Sequence, residues 1–211
     1  MTKLFSVKKL TDFSADSSGS FPKILASIPV GEGFLLGTSD ALLMMQPSGD
    51  VVQIWSCPVY KLDANEKYVF FIRGECREFG FLRIDALKKI GKSDKETPLF
   101  VPLVSRNVHT FAVGKFQGKH GVSVAIENKI RTFIFSHIDE ADEYDPVVLQ
   151  QVPSSLVFTS TSIICGTDPI IEIDLRSGNT EDYLGPDELA KIYTGIFEED
   201  IFIVQIRFFK N

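Results

Sequence analysis

Hydrophobic and polar positions alternate over short runs along this chain, and almost no apolar positions repeat at helical spacing. The runs start about every 8–12 residues and end at Gly, Pro, Asn, Asp or Ser, which is typical of an all-β sandwich, barrel or propeller. We predict strands at residues 23–28, 33–37, 41–46, 51–55, 59–62, 67–73, 79–84, 108–113, 122–126, 130–135, 147–151, 155–158, 162–165, 170–174, 182–184 and 201–208. A helix of at most two turns is predicted at 187–193, and long polar surface loops are predicted at 86–98 and 137–146. Because no longer helix alternates with the strands, a doubly wound parallel sheet is disfavoured.

Two stretches of the chain repeat each other. GFLLGTSDALLMMQPSGDVVQIW (33–55) and TSIICGTDPIIEIDLRSGNTEDYL (161–184) share an apolar strand, Gly-Thr, a polar turn, a second apolar strand, Ser-Gly and a last strand. A further predicted strand precedes each, residues 108–137 supply a third copy, and residues 67–85 a weaker one. Four strands repeated at roughly 40–45 residues indicate propeller blades, which bury their faces only against one another. We therefore predict an all-β β-propeller of about four to five four-stranded antiparallel blades.

Composition and charge narrow the classes of partner and compartment. The chain has 18 Phe, which favour strands, and a net charge of −6, which disfavours binding to nucleic acid. Cys57, Cys76 and Cys165 form no C-x-x-C pair, so neither a zinc ribbon nor a redox motif is predicted. No signal peptide is recognisable, and no apolar run approaches the roughly 18 residues of a membrane helix. The sequence therefore predicts a soluble, intracellular protein with reduced thiols.

Two glycine patterns come near a phosphate-binding motif. Residues 31–33 (GEG) together with Gly37 are spaced like a dinucleotide-binding loop, but a strand follows where a helix is required. We predict hairpin glycines instead. Residues 91–93 (GKS) end like a P-loop, but Ala86 stands where the first glycine is required, so a polar loop is favoured.

One dense group of metal-ligand residue types is present, formed by His137 with Asp139, Asp142 and Asp145. The group lacks the glycine and the glutamate spacing of an EF-hand. A solvated acidic loop is therefore favoured, and weak calcium binding is the alternative.

The other sequence features suggest no catalytic centre. His109 and His120 flank a predicted hairpin, nothing pairs them with a nucleophile in sequence, and no G-x-S-x-G motif is present. The loop KKIGKSDK (88–95) carries Lys residues that would attract anionic lipid, although the acidic residue within it weakens the attraction. Peripheral membrane contact is therefore kept as an alternative. We assign no catalytic, cofactor-binding or metal-binding residue and expect a non-catalytic chain without a cofactor.

Three ordered blocks together resemble the citron-homology (CNH) domain family. They are GFLLGTSDALLMM (33–45), VSVAIENKIRTFIFSH (122–137) and the segment 154–184, in which Ile-Asp-Leu precedes Ser-Gly. The family includes the amino-terminal propellers of Vam/Vps-class vesicle-tethering subunits and of the TGF-β-receptor-associated protein, which this chain resembles because its first predicted blade follows Met1 closely. Other members of the family are the carboxy-terminal domains of kinases and Rho exchange factors.

The resemblance implies a function in protein binding. It implies a non-catalytic interaction module of a vesicle-tethering subunit that binds small GTPases of Rab or Rho type, or other tethering-complex subunits. The implied location is cytoplasmic, with peripheral attachment to endosomal or vacuolar/lysosomal membranes as an option. The alternatives are a regulatory CNH domain of a kinase or Rho exchange factor, and a propeller enzyme with a site in a central channel. Because the family's propeller has roughly seven blades, we expect residues 1–211 to be one CNH-like domain or a fragment of one.

Overall fold

The computed structural model of this chain describes residues 23–87, 98–137 and 139–183. These residues form four antiparallel sheets, numbered here as blades in chain order, and one short helix, α1 (Ile84–Leu87). The chain divides into two compact units, the first comprising Met1–Glu75 with Gly80–Phe100, and the second Cys76–Phe79 with Val101–Asn211.

Blades 1 and 2 each have four strands in sequence order. The strands of blade 1 are β1 (Ile24–Val30), β2 (Gly33–Thr38), β3 (Leu42–Met45) and β4 (Val51–Trp55). The strands of blade 2 are β5 (Val59–Ala64), β6 (Tyr68–Arg73), β7 (Glu78–Arg83) and β8 (Val101–Val104).

Blades 3 and 4 follow the same plan of antiparallel neighbours. The strands of blade 3 are β9 (Val108–Phe116), β10 (Lys119–Ile126), β11 (Lys129–His137) and β12 (Glu140–Glu143), and β13 (Val147–Val148) also pairs with β11. The strands of blade 4 are β14 (Leu156–Phe158), β15 (Ser162–Cys165), β16 (Ile171–Asp174) and β17 (Thr180–Asp182). The β13 pairing makes the sheet of blade 3 five-stranded.

The predicted repeat between residues 33–55 and 161–184 is confirmed. Its three strands are β2–β4 in blade 1 and β15–β17 in blade 4, each the second to fourth strand of its sheet. In both copies the Ser-Gly step turns the chain between the last two strands, with φ of 95° at Gly49 and 72° at Gly178. Since φ in this range suits glycine, the shared Ser-Gly reflects a shared turn geometry. The third and weaker copies correspond to β9–β11 and β6–β7.

Each unit has its own apolar core, built mainly from strand residues whose side chains point inward. The core of the first unit is formed by buried residues of blades 1 and 2 and of α1: Val30, Leu35, Leu42, Val59, Leu62, Val69, Phe71, Leu82 and Leu87. The core of the second unit is formed by Ala112, Phe116, Ala125, Ile130, Ile134, Leu149, Leu156, Phe158, Ile163, Cys165, Ile173 and Leu175. Many of the Phe that favoured strands are therefore core residues of the blades.

Several predicted elements need correction. Strand β8 was not predicted, and β12 lies within the stretch that was predicted as a polar loop at 137–146. Strand β17 begins two positions before the predicted strand 182–184, β13 has only two residues, and α1 includes the start of the predicted loop 86–98. The predicted helix 187–193 and strand 201–208 lie outside the described residues, as does most of the loop 86–98.

The described residues thus have the architecture predicted from the sequence, an all-β chain of four-stranded antiparallel blades that forms an incomplete β-propeller. Within the described residues, no helix is long and apolar enough to cross a membrane.

Candidate functional site

The glycine-rich segment near the first strands is a hairpin. Gly31, with a φ of 61°, lies in the turn between β1 and β2, and Gly33 is the first residue of β2. A phosphate-binding loop would instead open a helix, whose amino terminus supplies N–H groups to the phosphate. The prediction of hairpin glycines at 31–33 is confirmed, whereas the P-loop-like residues 91–93 lie outside the described part of the chain.

The acidic group that follows β11 is spread along the edge of blade 3. His137 ends β11, Asp139 lies in a turn with a φ of 63°, and Asp142 is on edge strand β12. In residues 23–87, 98–137 and 139–183, no three His, Cys, Asp or Glu side chains are close enough to hold a metal ion. Acidic side chains on β12 protect a sheet edge from pairing with other chains, which gives this segment a structural role.

An ion pair fixes β12 to its neighbour. The Arg131 guanidinium donates two hydrogen bonds to the Glu143 carboxylate, from Nε to Oε1 at 2.6 Å and from Nη2 to Oε2 at 2.7 Å. These bonds hold the pKa of Glu143 below its usual range and raise the pKa of Arg131. The cause of both shifts is a bidentate pair at the sheet edge, a geometry typical of structural ion pairs.

The two remaining histidines are far apart. His120 lies opposite Lys115 in the β9–β10 register, and His109 lies six positions before Lys115 on β9. At about 3.3 Å per residue, this separation is roughly 20 Å. His109 and His120 therefore do not form a dyad.

The buried cysteine, Cys165, also lacks the features of a nucleophile. Burial raises the pKa of the Cys165 thiol to about 12, so this thiol stays protonated and unreactive near neutral pH. Cys57 is half-buried and Cys76 is exposed, and neither forms a disulfide bond.

The second unit contains a groove that the sequence did not predict. Its volume is about 260 Å³, and ten residues line it: Val148, Leu149, Gln150, Gln151, Thr167, Asp168, Pro169, Ile171, Thr180 and Asp182. One wall is the segment that follows β13, and the other consists of β16, β17 and the turn before β16. We call this feature the rim groove.

The register of β16 and β17 determines which of their side chains face the rim groove. Ile171 pairs with Asp182, and Glu172 pairs with Glu181. Because directly opposite residues share a face and successive residues alternate, Ile171 and Asp182 face the groove while Glu172 and Glu181 lie on the other side of the sheet. Thr180 shares the groove face with Asp182.

Side-chain amides hold both walls of the rim groove. Asn128 Nδ2 donates to the Leu149 carbonyl at 2.7 Å, and the Leu149 amide donates to the Asn128 carbonyl at 2.8 Å. Gln151 Nε2 donates to the Asp168 carbonyl at 2.7 Å, and the Asp168 amide donates to Gln151 Oε1 at 3.3 Å. Thr167 Oγ1 donates to the Pro169 carbonyl at 2.6 Å, within a turn that contains a cis Asp168–Pro169 peptide bond. The groove is thus preformed.

The rim groove combines negative charge with exposed apolar surface. Its lining contains Asp168 and Asp182 and no cationic residue. Val148 is 62% exposed, and Val152, one position beyond the lining, is 57% exposed. Such a surface, apolar with a few fixed polar groups, is suited to binding a ligand. Sequence reasoning missed it because its residues come from three separate segments that only the fold brings together.

Comparisons with solved structures agree with the propeller architecture. The chain is similar to the CNH domain of AfRom2, with a TM-score of 0.69 and 13% identity over 87% of this chain and 60% of that one. It is similar to a chain in an S. cerevisiae complex of dbp5 with nup159 and gle1 (TM-score 0.56, 13% identity, 76% of this chain and 46% of that one). It is also similar to the Neurospora crassa Pan2 WD40 domain (0.50, 12%, 76% and 50%).

No protein-family model and no curated protein sequence matches this chain. The chain spans about 60% of the length of the AfRom2 CNH structure. At these identities the likeness concerns the fold alone, which is CNH-like and common to CNH and WD40 propeller domains.

Proposed function

We propose that residues 1–211 are a single CNH-like propeller domain, or part of one, that acts as a non-catalytic interaction module of a vesicle-tethering subunit. Its partners in this proposal are small GTPases of Rab or Rho type, or other tethering-complex subunits, in traffic to endosomes and vacuoles or lysosomes. The observation that carries the proposal is the CNH-like arrangement of four-stranded blades, reached independently from the sequence blocks and from the structural likeness.

Two further observations support a binding role. The S. cerevisiae complex similar to this chain is one in which dbp5 is bound to nup159 and gle1, so a related fold takes part in protein assembly there. Among the described residues, the groups with shifted pKa values have structural causes: an edge ion pair, a buried thiol, and Asp174, whose pKa is lowered mainly by hydrogen bonds from Ser177. Catalytic sites instead gather shifted groups in one cleft.

The test is a direct binding assay with purified proteins. The folded chain, checked by circular dichroism, is immobilised and exposed to a panel of Rab-type and Rho-type GTPases, each loaded with GDP or a non-hydrolysable GTP analogue, and to tether subunits. We expect at least one Rab-type GTPase or tether subunit to bind, with a GTPase preferring one nucleotide state. Binding only to Rho-type GTPases would instead support a regulatory domain of a kinase or exchange factor. Absence of binding across the panel would contradict the proposal.

A further inference from the structure

We propose that the rim groove binds an extended cationic segment of a partner protein, in which Lys or Arg side chains flank an apolar side chain. This inference rests on the proposed function as an interaction module and names the chemistry of the partner. It assigns the cations to Asp168 and Asp182, and the apolar side chain to the surface of Val148 and Ile171.

The first argument is charge. Neither Asp168 nor Asp182 forms an ion pair with another described residue, and the groove lining supplies no cation of its own. The strand that carries Asp182 adds further negative charge on its other face, where Glu181 lies directly opposite Glu172. Like charges placed opposite each other weaken a sheet, so this pair of glutamates lowers the local stability of the hairpin. A cationic ligand complements such a surface, whereas an acidic peptide or an anionic lipid surface is repelled.

The second argument is apolar exposure beside the charges. Val148 is 62% exposed, although Leu149 beside it is buried. Covering an aliphatic side chain of this size contributes to binding in proportion to the area removed from water. A purely polar ligand would leave this surface uncovered, which is why the segment needs an apolar side chain between its cations.

The third argument is that the groove is ready for an extended chain. Amide hydrogen bonds from Asn128 and Gln151 fix the two walls, so little ordering is required when a ligand enters. The side chains of Gln150 and Thr180 line the groove and form no hydrogen bond with other described residues. They are available to the peptide groups of a bound segment, which an extended backbone presents on alternate sides.

The test uses fluorescein-labelled nonapeptides and fluorescence anisotropy with the purified chain. The probe peptide alternates Lys and Val, the second peptide replaces every Lys with Glu, and the third replaces every Val with Ser. We expect the Lys/Val peptide to bind, the Glu/Val peptide not to bind, and the Lys/Ser peptide to bind about tenfold more weakly, given the transfer free energy of aliphatic side chains.

The test variant is Asp168→Asn with Asp182→Asn, and its matched control is Glu172→Gln with Glu181→Gln. Both remove two negative charges, and the control places that change on the opposite face of β16 and β17. Exposed ion pairs contribute modestly, so the test variant should bind the Lys/Val peptide about three- to tenfold more weakly. The control should change the affinity for the Lys/Val peptide by less than about twofold, because salt screens charges on the opposite face of the sheet. Val148→Ser should weaken binding by about threefold or more through lost apolar contact.

Each outcome decides the proposal. Equal weakening by the test and control variants would show general charge attraction and would overturn the proposal. An NMR titration in which the peptide shifts amides of the labelled protein outside 147–152, 167–171 and 180–182 would overturn it too. Concentration-dependent dimers that Val148→Ser converts to monomers would assign the groove to a second copy of this chain and also overturn it. If a GTPase or tether subunit binds equally to the chain and to Asp168→Asn with Asp182→Asn, and no peptide binds, the groove proposal fails while the proposed function stands. Failure of both assays would reject both.

Discussion

A glycine pair and one phenylalanine join blades 3 and 4, and this contact allows a quantitative test of the packing. Gly114 on β9 and Gly121 on β10 lie directly opposite each other. The ring of Phe158 from β14 packs against both. A Cβ at position 121 would lie 2.7 Å from Phe158 Cζ and 2.7 Å from Ile134 Cδ1, and a Cβ at position 114 would lie 2.6 Å from Phe158 Cδ1. The two glycines therefore form a slot for the Phe158 ring, and any larger side chain at either position would overlap that ring.

We predict that Phe158→Ala lowers the free energy of unfolding by about 3–5 kcal/mol, the usual range for removing a buried aromatic ring. Phe158 is only 9% exposed, so the variant loses the burial of nearly the whole ring. For a chain of this length, about 2–4 °C of melting temperature is lost per kcal/mol. Gly121→Ala should lower the free energy of unfolding by about 1–3 kcal/mol, because its methyl group overlaps a ring that is held on both sides.

The decisive variant combines the two changes. In Phe158→Ala the ring atoms that would overlap a methyl group at position 121 are gone, and Ile134 Cδ1, the end of a flexible side chain, can rotate into the vacated space. Adding Gly121→Ala should therefore fill part of the cavity and be neutral or stabilising by up to about 1 kcal/mol. Gly114→Ala should be relieved less, since its new Cβ would also lie 2.8 Å from Phe158 Cβ, an atom that alanine retains. Urea unfolding followed by circular dichroism measures all of these free energies.

The control for these effects is Gly118→Ala. Gly118 has a φ of 78° and nothing within 4 Å of its would-be Cβ, so the substitution strains the backbone without touching Phe158. It should cost about 1 kcal/mol both in the native sequence and in Phe158→Ala. Equal penalties for Gly121→Ala in both backgrounds would refute the slot. If Phe158→Ala does not fold, the same cycle with Phe158→Leu applies.

Three further predictions concern other contacts. Because hydrogen bonds from Arg131 lower the pKa of Glu143, the pair's contribution is complete above the unfolded-state value near 4.3 and is lost as pH falls through the lowered folded value. With the Glu143 side chain 35% exposed, Glu143→Gln should therefore cost only about 0.5–1 kcal/mol at pH 7, and urea titrations at successively lower pH should show this difference shrink. Cys165, whose pKa burial raises to about 12, should react with a thiol reagent only after unfolding, while the other two cysteines react in the native state. The hydroxyls of Ser123 and Thr132 share a buried hydrogen bond of 2.7 Å; Thr132→Val alone should lower the free energy of unfolding by about 1–3 kcal/mol, and adding Ser123→Ala should recover most of it.

The sequence predicted the inner strands of the blades well because many of them are short apolar runs that end at turn residues, such as β6 and β15, which are buried along nearly their whole length. The inner strand β15 matches its predicted range residue for residue, and the inner strands β2 and β6 differ from theirs by one residue. The strands that were missed are at the edges of their sheets. β8 contains Pro102, which lacks the N–H that a ladder needs, and β12 consists of Glu, Ala, Asp and Glu. Such segments become strands through pairing with a neighbour, as Phe133 pairs with Glu143, and not through their own propensity.

The rim groove could not be predicted for a related reason. Its walls come from three segments that are separated from one another in sequence, and their contact depends on the side-chain amides of Asn128 and Gln151, which reach backbone groups 21 and 17 residues away in sequence. Neither amide belongs to a recognisable motif. The position of the β16–β17 hairpin beside the groove was predictable from the sequence, because it is fixed by the Ser-Gly turn before β17 and the apolar residues of β16.

The position of the rim groove within the second unit links its stability to its proposed function. The groove lies between blade 3, through β13, and blade 4, through β16 and β17, and the two blades pack on each other through Phe158 and its glycine slot. Because the hydrogen bonds between Gln151 and Asp168 connect the same pair of blades, loosening the slot should loosen the groove walls as well. A ligand that binds only the closed groove then stabilises the blade contact by its binding free energy, following RT ln(1 + [L]/Kd). A peptide that raises the melting temperature of the native chain but not of Asp168→Asn with Asp182→Asn would therefore report on the groove and the fold in one measurement.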